Sequence, residues 1–453
     1  MLDYNGRLPY GLYYLVQKFA DNRNYTVEID PRIEQKEDIN KTEFDKWLSE
    51  KDLYSGSNKI DPYWYQSDSV FHALKNRRCV LNLPTSAGKS LIQALISRWY
   101  LENYNGKVLI IVPTTSLVNQ MINDFVDYRI FPKHAMLGIM SGTKKDSDSR
   151  IYVSTWQSAI KQPKEWFSQF GCLMVDECHK STGKSITEII NSLDNCIFKI
   201  GLSGSLKEGK ANMMQYVGAF GGIFKPVNTR QLIDEGQVSN VKIKALFLRY
   251  PELITRKARG FTYQEEIKLI CSYKARNRVV AKLALGLAKR KENVFLMFNY
   301  KEHGKEFVRI LKEELGYDNV VLINGDTDTD ERDQLRIDAE SSNGLIVVGS
   351  IGVLSTGVSI KKIHHIIFGH PCKSAIIVKQ SIGRVLRKHD SKDIALVWDI
   401  IDDIGVKPKT KSKNKYVHVN YGLKHAMERI RIYNEEHFDY SIIEKNLEGI
   451  NGI

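Results

Sequence analysis

The stretch VLNLPTSAGKSLIQALI (residues 80–96) changes character twice. Val80–Leu83 reads as a buried strand. Pro84 to Gly88 carries little side chain, and an apolar run of helical type begins at Leu91. Lys89 therefore stands where a strand becomes a helix, behind a loop of small residues. A bound phosphate explains that placement, because backbone N–H groups at a helix N-terminus supply many donors at close range. Thr85, Ser86, Ala87 and Gly88 let the backbone approach, Lys89 reaches the β- and γ-phosphates, and the Ser90 hydroxyl reaches Mg2+. The full phosphate-loop pattern asks for glycine at 83, where Leu83 stands. Gly88-Lys89-Ser90 alone also fits an ordinary strand–turn–helix, so partners elsewhere in the chain must decide.

Outward from this loop, short β-branched runs recur, each followed by a longer amphipathic stretch. One set is Val80–Leu83, Val108–Val112, Ile151–Ser154, Leu173–Asp176 and Phe198–Ser203. A second is Val294–Phe298, Val320–Ile323, Leu345–Ser350, His365–Gly369 and Ala395–Ile400. Apolar strands alternating with helices indicate parallel sheets covered on both faces, so the expectation is two α/β domains. A weak region near 225–260 separates the sets. The chain divides into an N-terminal accessory segment (1–55), an ATP-binding domain (56–225), a second domain (226–415) and a C-terminal helical extension (416–453). Its 453 residues suit two or three cores.

Lys plus Arg number 66 against 53 Asp plus Glu, a net +13, which favours a polyanionic partner. No apolar run is long enough to span a membrane, and residues 1–14 lack the pattern of a secretory signal. Six scattered cysteines, none in a C-x-x-C pair, suggest neither zinc nor disulfides and fit the reduced cores of a cytosolic protein. The lysines at 407, 409, 411, 413 and 415 read either as a solvated linker or, together with Arg429 and Arg431 of the helix after them, as a grip on a polyanion such as a second duplex arm.

Two further stretches carry chemistry. In LMVDECHK (173–180), Asp176 and Glu177 end a buried strand, where α/β sheets place ligand groups. Asp176 can hold Mg2+ through water, and Glu177 can accept a proton from the attacking water. In QSIGRVLRKH (380–389), Arg384 and Arg387 share a helix face and can clamp a γ-phosphoryl group. Read singly, these remain compatible with an acidic turn and a basic surface helix.

Together, PTSAGKS (84–90), DECH (176–179) and QSIGRVLR (380–387) resemble motifs I, II and VI of the superfamily-two helicases. Gln66 in YWYQ resembles that superfamily's adenine-reading glutamine. IVPTTSLVNQ (111–120) and VSTWQS (153–158) resemble motifs Ia and Ib. LSGS (202–205), LMFNY (296–300) and GSIGVLSTGVSI (349–360) resemble motifs III, IV and V, with Gly357 at the nucleotide in the last. Ser203-Gly204-Ser205 stands where S-A-T is usual, and Ser359 where motif V usually carries an acid. Longer stretches, among them NLPTSAGKSLIQAL and DDIGVKPK, resemble the recombination and fork-remodelling helicases of T-even-type phages.

The resemblance implies two tandem RecA-like domains with a small N-terminal remnant domain and a C-terminal helical extension. It implies ATP and Mg2+ as cofactors, with Gln66, Thr85, Ser86, Ala87, Gly88, Lys89, Ser90 and Gly357 at the nucleotide and Ser90 and Asp176 at the metal. Catalysis then falls to Lys89, Asp176, Glu177, Arg384 and Arg387, with Arg387 the finger proper and Arg384 its partner across a cleft. The implied partners are single-stranded and branched DNA, RNA–DNA hybrids and phage recombination proteins. The implied setting is a monomer in the host cytoplasm. The residues leave open an RNA helicase, a restriction-type translocase and a scaffold that binds ATP without turnover.

Overall fold

Continuous apolar runs bury both of their faces only inside a sheet, and the chain builds two such sheets. The computed structural model describes residues 6, 8–28, 30, 36–140, 148–180, 184–204, 206, 210–356, 360–371, 374–385, 389, 392, 394–406, 416 and 418–447. Contacts divide the chain into two units, Met1–Asn228 and Thr229–Ile453. The Lys407–Lys415 arm lies outside the described residues. No helix among the described residues is long and apolar enough to cross a membrane.

The first unit opens with helices Tyr13–Asp21 and Lys41–Ser49 and a small antiparallel hairpin, β1 (Tyr54–Ser55) and β2 (Asn58–Lys59). Its sheet comprises β3 (Arg78–Asn82), β4 (Lys107–Val112), β5 (Met136–Ile139), β6 (Ile151–Thr155), β7 (Phe170–Asp176), β8 (Phe198–Ser203) and β9 (Ile223–Phe224). The strands are parallel, in the order β5-β6-β4-β7-β8-β3-β9. Every residue of β6 and β8 is buried, as the unbroken apolar runs require. The turn Tyr10–Leu12 packs onto helix Lys210–Phe220 so closely that a Cβ on Gly11 would stand 1.7 Å from the Val217 carbonyl oxygen.

The second unit builds β10 (Asn240–Arg249), β11 (Val294–Phe298), β12 (Val320–Ile323), β13 (Ile346–Ser350), β14 (His365–Phe368), β15 (Ile394–Asp403) and β16 (Asp439–Asn446). These too are parallel, in the order β12-β13-β11-β14-β15-β10-β16. Two parallel seven-stranded sheets are the tandem RecA-like architecture. The weak region near 225–260 holds β10, paired with β15 along its whole length. Lys242 and Lys244 interrupt its apolar run, because it alternates between core and a less covered side. The C-terminal extension contains helix Tyr421–Glu435 and adds β16 to the sheet edge beside β10.

Two buried carboxylates on β15 are paired by arginines from different helices. Arg276 of helix Lys274–Ala288 donates through Nε to Asp402 Oδ1 at 2.9 Å and through Nη2 to Oδ2 at 3.1 Å. Arg429 of helix Tyr421–Glu435 reaches Asp399 Oδ1 through Nη2 at 2.7 Å, and the Tyr433 hydroxyl donates to Asp399 Oδ2 at 3.0 Å. The Arg429 side chain is 1 % exposed, so it ties the helix to the sheet and is closed to a phosphate. This corrects its reading as a duplex grip. A lone basic residue on a helix does not reveal a buried partner that lies thirty residues upstream. Arg431 is exposed, between Glu428 and Glu435.

Candidate nucleotide-binding and hydrolysis site

The loop after β3 turns through Ser86 at φ +73° and Gly88 at φ +76° before helix Lys89–Asn103 begins. Ala87 N–H donates to the Pro84 carbonyl at 3.2 Å, which closes the turn. The helix Trp64–Asn76 sets Gln66 against this turn. The Gln66 Nε2 donates to the Ala87 carbonyl at 2.9 Å, and its Oε1 accepts from the Tyr63 N–H at 2.9 Å. Gln66 is thus fixed at both ends of its amide and joined directly to the phosphate-type loop. Lys89 folds back with Nζ 3.5 Å from the Pro84 carbonyl oxygen. Leu83 is fully buried, and its N–H donates to the Ser203 carbonyl at 3.0 Å. The residue that breaks the glycine pattern thus extends the sheet toward the loop.

The Ser90 hydroxyl lies 2.7 Å from the Tyr128 Oη. Sequence reasoning gave no sign of Tyr128, which caps helix Thr115–Asp127 far along the chain. Thr85 faces Gly204, where a Cβ would come 3.1 Å from the Thr85 Oγ1.

Asp176 ends β7, and its Oδ1 is buried without a hydrogen-bond partner. Burial first, and then the neighbouring Glu177 carboxylate, pushes its pKa up to about 6 against the pull of Lys89. A buried carboxylate oxygen with no donor asks for a cation, and a serine hydroxyl at the start of the helix is a second oxygen of the kind Mg2+ prefers. The residues present therefore fit Mg2+.

Glu177 takes a left-handed backbone, φ +52°, a conformation that costs energy and clusters at functional sites. Its Oε2 lies 3.0 Å from the His179 Nδ1 and accepts from the Ser203 hydroxyl at 3.3 Å. The His179 Nδ1 lies 2.9 Å from the Ser203 Oγ. His179 and Ser203 are both buried, so this triangle fixes Glu177 from two elements, the turn after β7 and the end of β8. Motif II and motif III are therefore joined through side chains.

In the first unit the structure brings together Gln66, the loop Thr85–Ser90, Asp176 and Glu177. In the second unit Arg384 belongs to helix Ala375–Val385. Arg387, Gly357, Ser359 and Ser205 lie outside the described residues.

The family described as "Type III restriction enzyme, res subunit" matches residues 28–208, and "Helicase conserved C-terminal domain" matches residues 275–389. The ATP-dependent DNA helicase UvsW of Enterobacteria phage T4 is 55% identical, over 99% of this chain and 90% of its own length. The DNA 3'-5' translocase XPB2 of Sulfurisphaera tokodaii is 24% identical over 76% of this chain and 82% of its own. Among solved structures, the ATP-dependent Type ISP restriction-modification enzyme LlaBIII bound to DNA has a TM-score of 0.61, at 15% identity, over 86% of this chain and 32% of that one. This last is a likeness of fold alone. With the phage T4 relative matched along nearly its whole length, the chain belongs to the UvsW family of ATP-dependent helicases.

Proposed function

We propose that this chain couples ATP hydrolysis to movement along DNA and acts on branched substrates, in phage recombination, repair and replication. The reactions are regression of forks, migration of Holliday junctions, and unwinding of D-loops and R-loops. The observation that carries the hydrolytic half is the unpartnered, buried Asp176 Oδ1 beside a loop suited to phosphates. The DNA half rests on kinship with the phage T4 DNA helicase and on the net charge of +13, and the choice of branched substrates rests on the motif resemblance and the energetics below.

Each residue has a chemical task. A side-chain amide offers two donors and two acceptor lone pairs. Gln66 uses one of each on the Ala87 carbonyl and the Tyr63 N–H, which leaves one donor and one acceptor. That remainder matches the N7 and N6 edge of adenine. Lys89 leaves its contact with Pro84 to hold the β- and γ-phosphates. Ser90 and Asp176 would hold Mg2+, which when bound neutralises charge on those phosphates. Glu177, fixed by Ser203 and His179, takes the proton of the attacking water. Arg384 and Arg387 supply positive charge to the γ-phosphoryl group as it transfers.

Branched DNA suits such a motor on energetic grounds. Separating a duplex costs about 1.4 kcal/mol of stacking per step, whereas branch migration forms a pair for each one broken. The motor then only biases a balanced exchange. Contacts to backbone phosphate carry no base code, so binding should follow structure more than sequence and fall steeply with salt.

The test is ATP-driven conversion of a synthetic fork or four-way junction by the parent and by Lys89→Ala. Conversion by the parent alone is expected, together with ATPase stimulated by single-stranded and branched DNA. Stimulation by RNA only would overturn the DNA reading in favour of an RNA helicase.

A further inference from the structure

In the second unit, three side chains that the helicase reading does not use converge at one end of the sheet. Cys271 lies in the last turn of helix Tyr263–Ser272, and His303 in the first turn of helix Lys301–Arg309. His370 follows β14. The Cys271 Sγ and one ring nitrogen from each histidine all lie within 4.8 Å of one another. The two histidines are 4 % exposed, and the cysteine is partly buried.

The location suits a ligand. β11 and β14 are hydrogen-bonded neighbours near the middle of the sheet. The helix after β11 packs toward β12 and β13, and the helix after β14 packs toward β15. The two connections part at this point, and such a switch point opens a crevice beyond the strand ends. His303 and His370 come from the two connections that part there.

The hydrogen bonding leaves one nitrogen of His303 open. His303 Nε2 lies 3.1 Å from Asn277 Oδ1. The same Asn277 donates through Nδ2 to the Cys271 carbonyl at 2.8 Å, so its Oδ1 is the acceptor end and His303 Nε2 carries the proton. That leaves the lone pair on His303 Nδ1, and Nδ1 is buried with no partner. A histidine with one nitrogen locked as a donor and the other open is the usual state of a metal ligand. Cys271 Sγ lies 3.6 Å from His370 Nδ1. Zn–S and Zn–N bonds of roughly 2.3 and 2.05 Å at a tetrahedral angle place S and N roughly 3.6 Å apart. One edge of the tetrahedron is therefore already formed. The neighbouring Arg276 is paired with the buried Asp402 carboxylate, which offsets part of its charge at the site.

We propose that Cys271, His303 and His370 bind a borderline transition-metal dication, Zn2+ by donor preference, with the fourth position left to water. One sulfur and two imidazole nitrogens suit zinc better than magnesium or calcium, which take oxygen. Binding converts the Cys271 thiol to thiolate and releases one proton to solvent. The ion ties together helix Tyr263–Ser272, helix Lys301–Arg309 and the segment after β14.

The experiment uses the full chain, stripped by chelator and titrated with Co2+ as a spectroscopic probe, then with Zn2+ in competition. One equivalent of Co2+ should produce a thiolate-to-cobalt charge-transfer band that Zn2+ abolishes. Cys271→Ser should lose the band, and His370→Gln should weaken binding by at least about tenfold, given the loss of one of three ligands. No saturable band in the parent, or an undiminished band in Cys271→Ser, overturns the proposal. A second measurement needs no variant: Zn2+ should protect Cys271 from alkylation in the native protein, read by mass spectrometry. Equal alkylation with and without Zn2+ overturns it as well.

Discussion

A Cβ placed on Gly88 would stand 2.2 Å from the Gln66 amide nitrogen, so these two residues share one space at the mouth of the phosphate-type loop. Gly88→Ala also forces an L-residue to φ +76°, which costs roughly 1–2 kcal/mol. The displaced Gln66 loses its bonds to Ala87 and Tyr63. ATP affinity is expected to fall at least about tenfold, the factor that 1.4 kcal/mol represents. Adding Gln66→Ala relieves the clash but leaves the backbone strain, so the double variant should not recover parent affinity. Titration with a fluorescent ATP analogue reads both.

Glu177→Gln keeps the shape of the side chain and removes the carboxylate proposed as proton acceptor. Single-turnover hydrolysis should slow by about 10²–10⁴-fold with ATP still bound. Ser203→Ala, which releases one of the two groups holding Glu177, should slow it less, and Ser203→Thr should restore it. Equal losses in Glu177→Gln and Ser203→Ala would show that Ser203 does more than position.

Arg387→Ala is expected to retain ATP affinity while lowering kcat by about 10³–10⁵, as loss of an arginine finger does. Steady-state ATPase with DNA present is the measurement. Turnover at the parent rate would remove Arg387 from the proposed catalytic set.

The Arg429 and Asp399 side chains are 1 % and 0 % exposed. Arg429→Met leaves the buried Asp399 carboxylate without its guanidinium partner, and unfolding in urea should show a loss of about 3–5 kcal/mol. DNA affinity per folded molecule should not change, because the guanidinium has no route to a phosphate. A selective loss of DNA binding at full stability would reinstate the duplex-grip reading.

His72 stacks on Phe224 with ring centroids 4.0 Å apart. Burial first, and then the Lys36 charge, holds its pKa below the ordinary 6.5. Below pH 6.5 the unfolded chain therefore takes up a proton that the folded chain refuses, and stability falls as pH drops toward the folded value. His72→Phe keeps the stacking and removes the proton. Its stability should decline less steeply between pH 6.5 and the acid limb, measured by denaturation at a series of pH values.

What could be read from the residues divides along physical lines. The strands of the two apolar sets were legible because burial on both faces leaves an unbroken signature. β10 escaped because Lys242 and Lys244 alternate with its core residues, and β16 because all eight of its residues are exposed. The loop Thr85–Ser90 and the pair Asp176-Glu177 could be singled out because each is contiguous in sequence and sits at the end of a buried strand. Tyr128 beside Ser90, and Ser203 beside His179, meet only through the sheet order. Cys271, His303 and His370 come from three separate connections, so no spacing rule could have joined them.

The position of β10 carries a consequence for biosynthesis. Its two neighbours begin at Ile394 and Asp439, whereas the first sheet is complete at Phe224. On a ribosome adding roughly 5–20 residues per second, the edge that β16 covers waits roughly 10–40 s after β10 emerges. Nascent chains stalled near residue 420 should accordingly carry a protease-resistant front half and a digestible rear half. An early-maturing ATP module would then be tethered to a partner that still needs shelter from neighbouring polysomes.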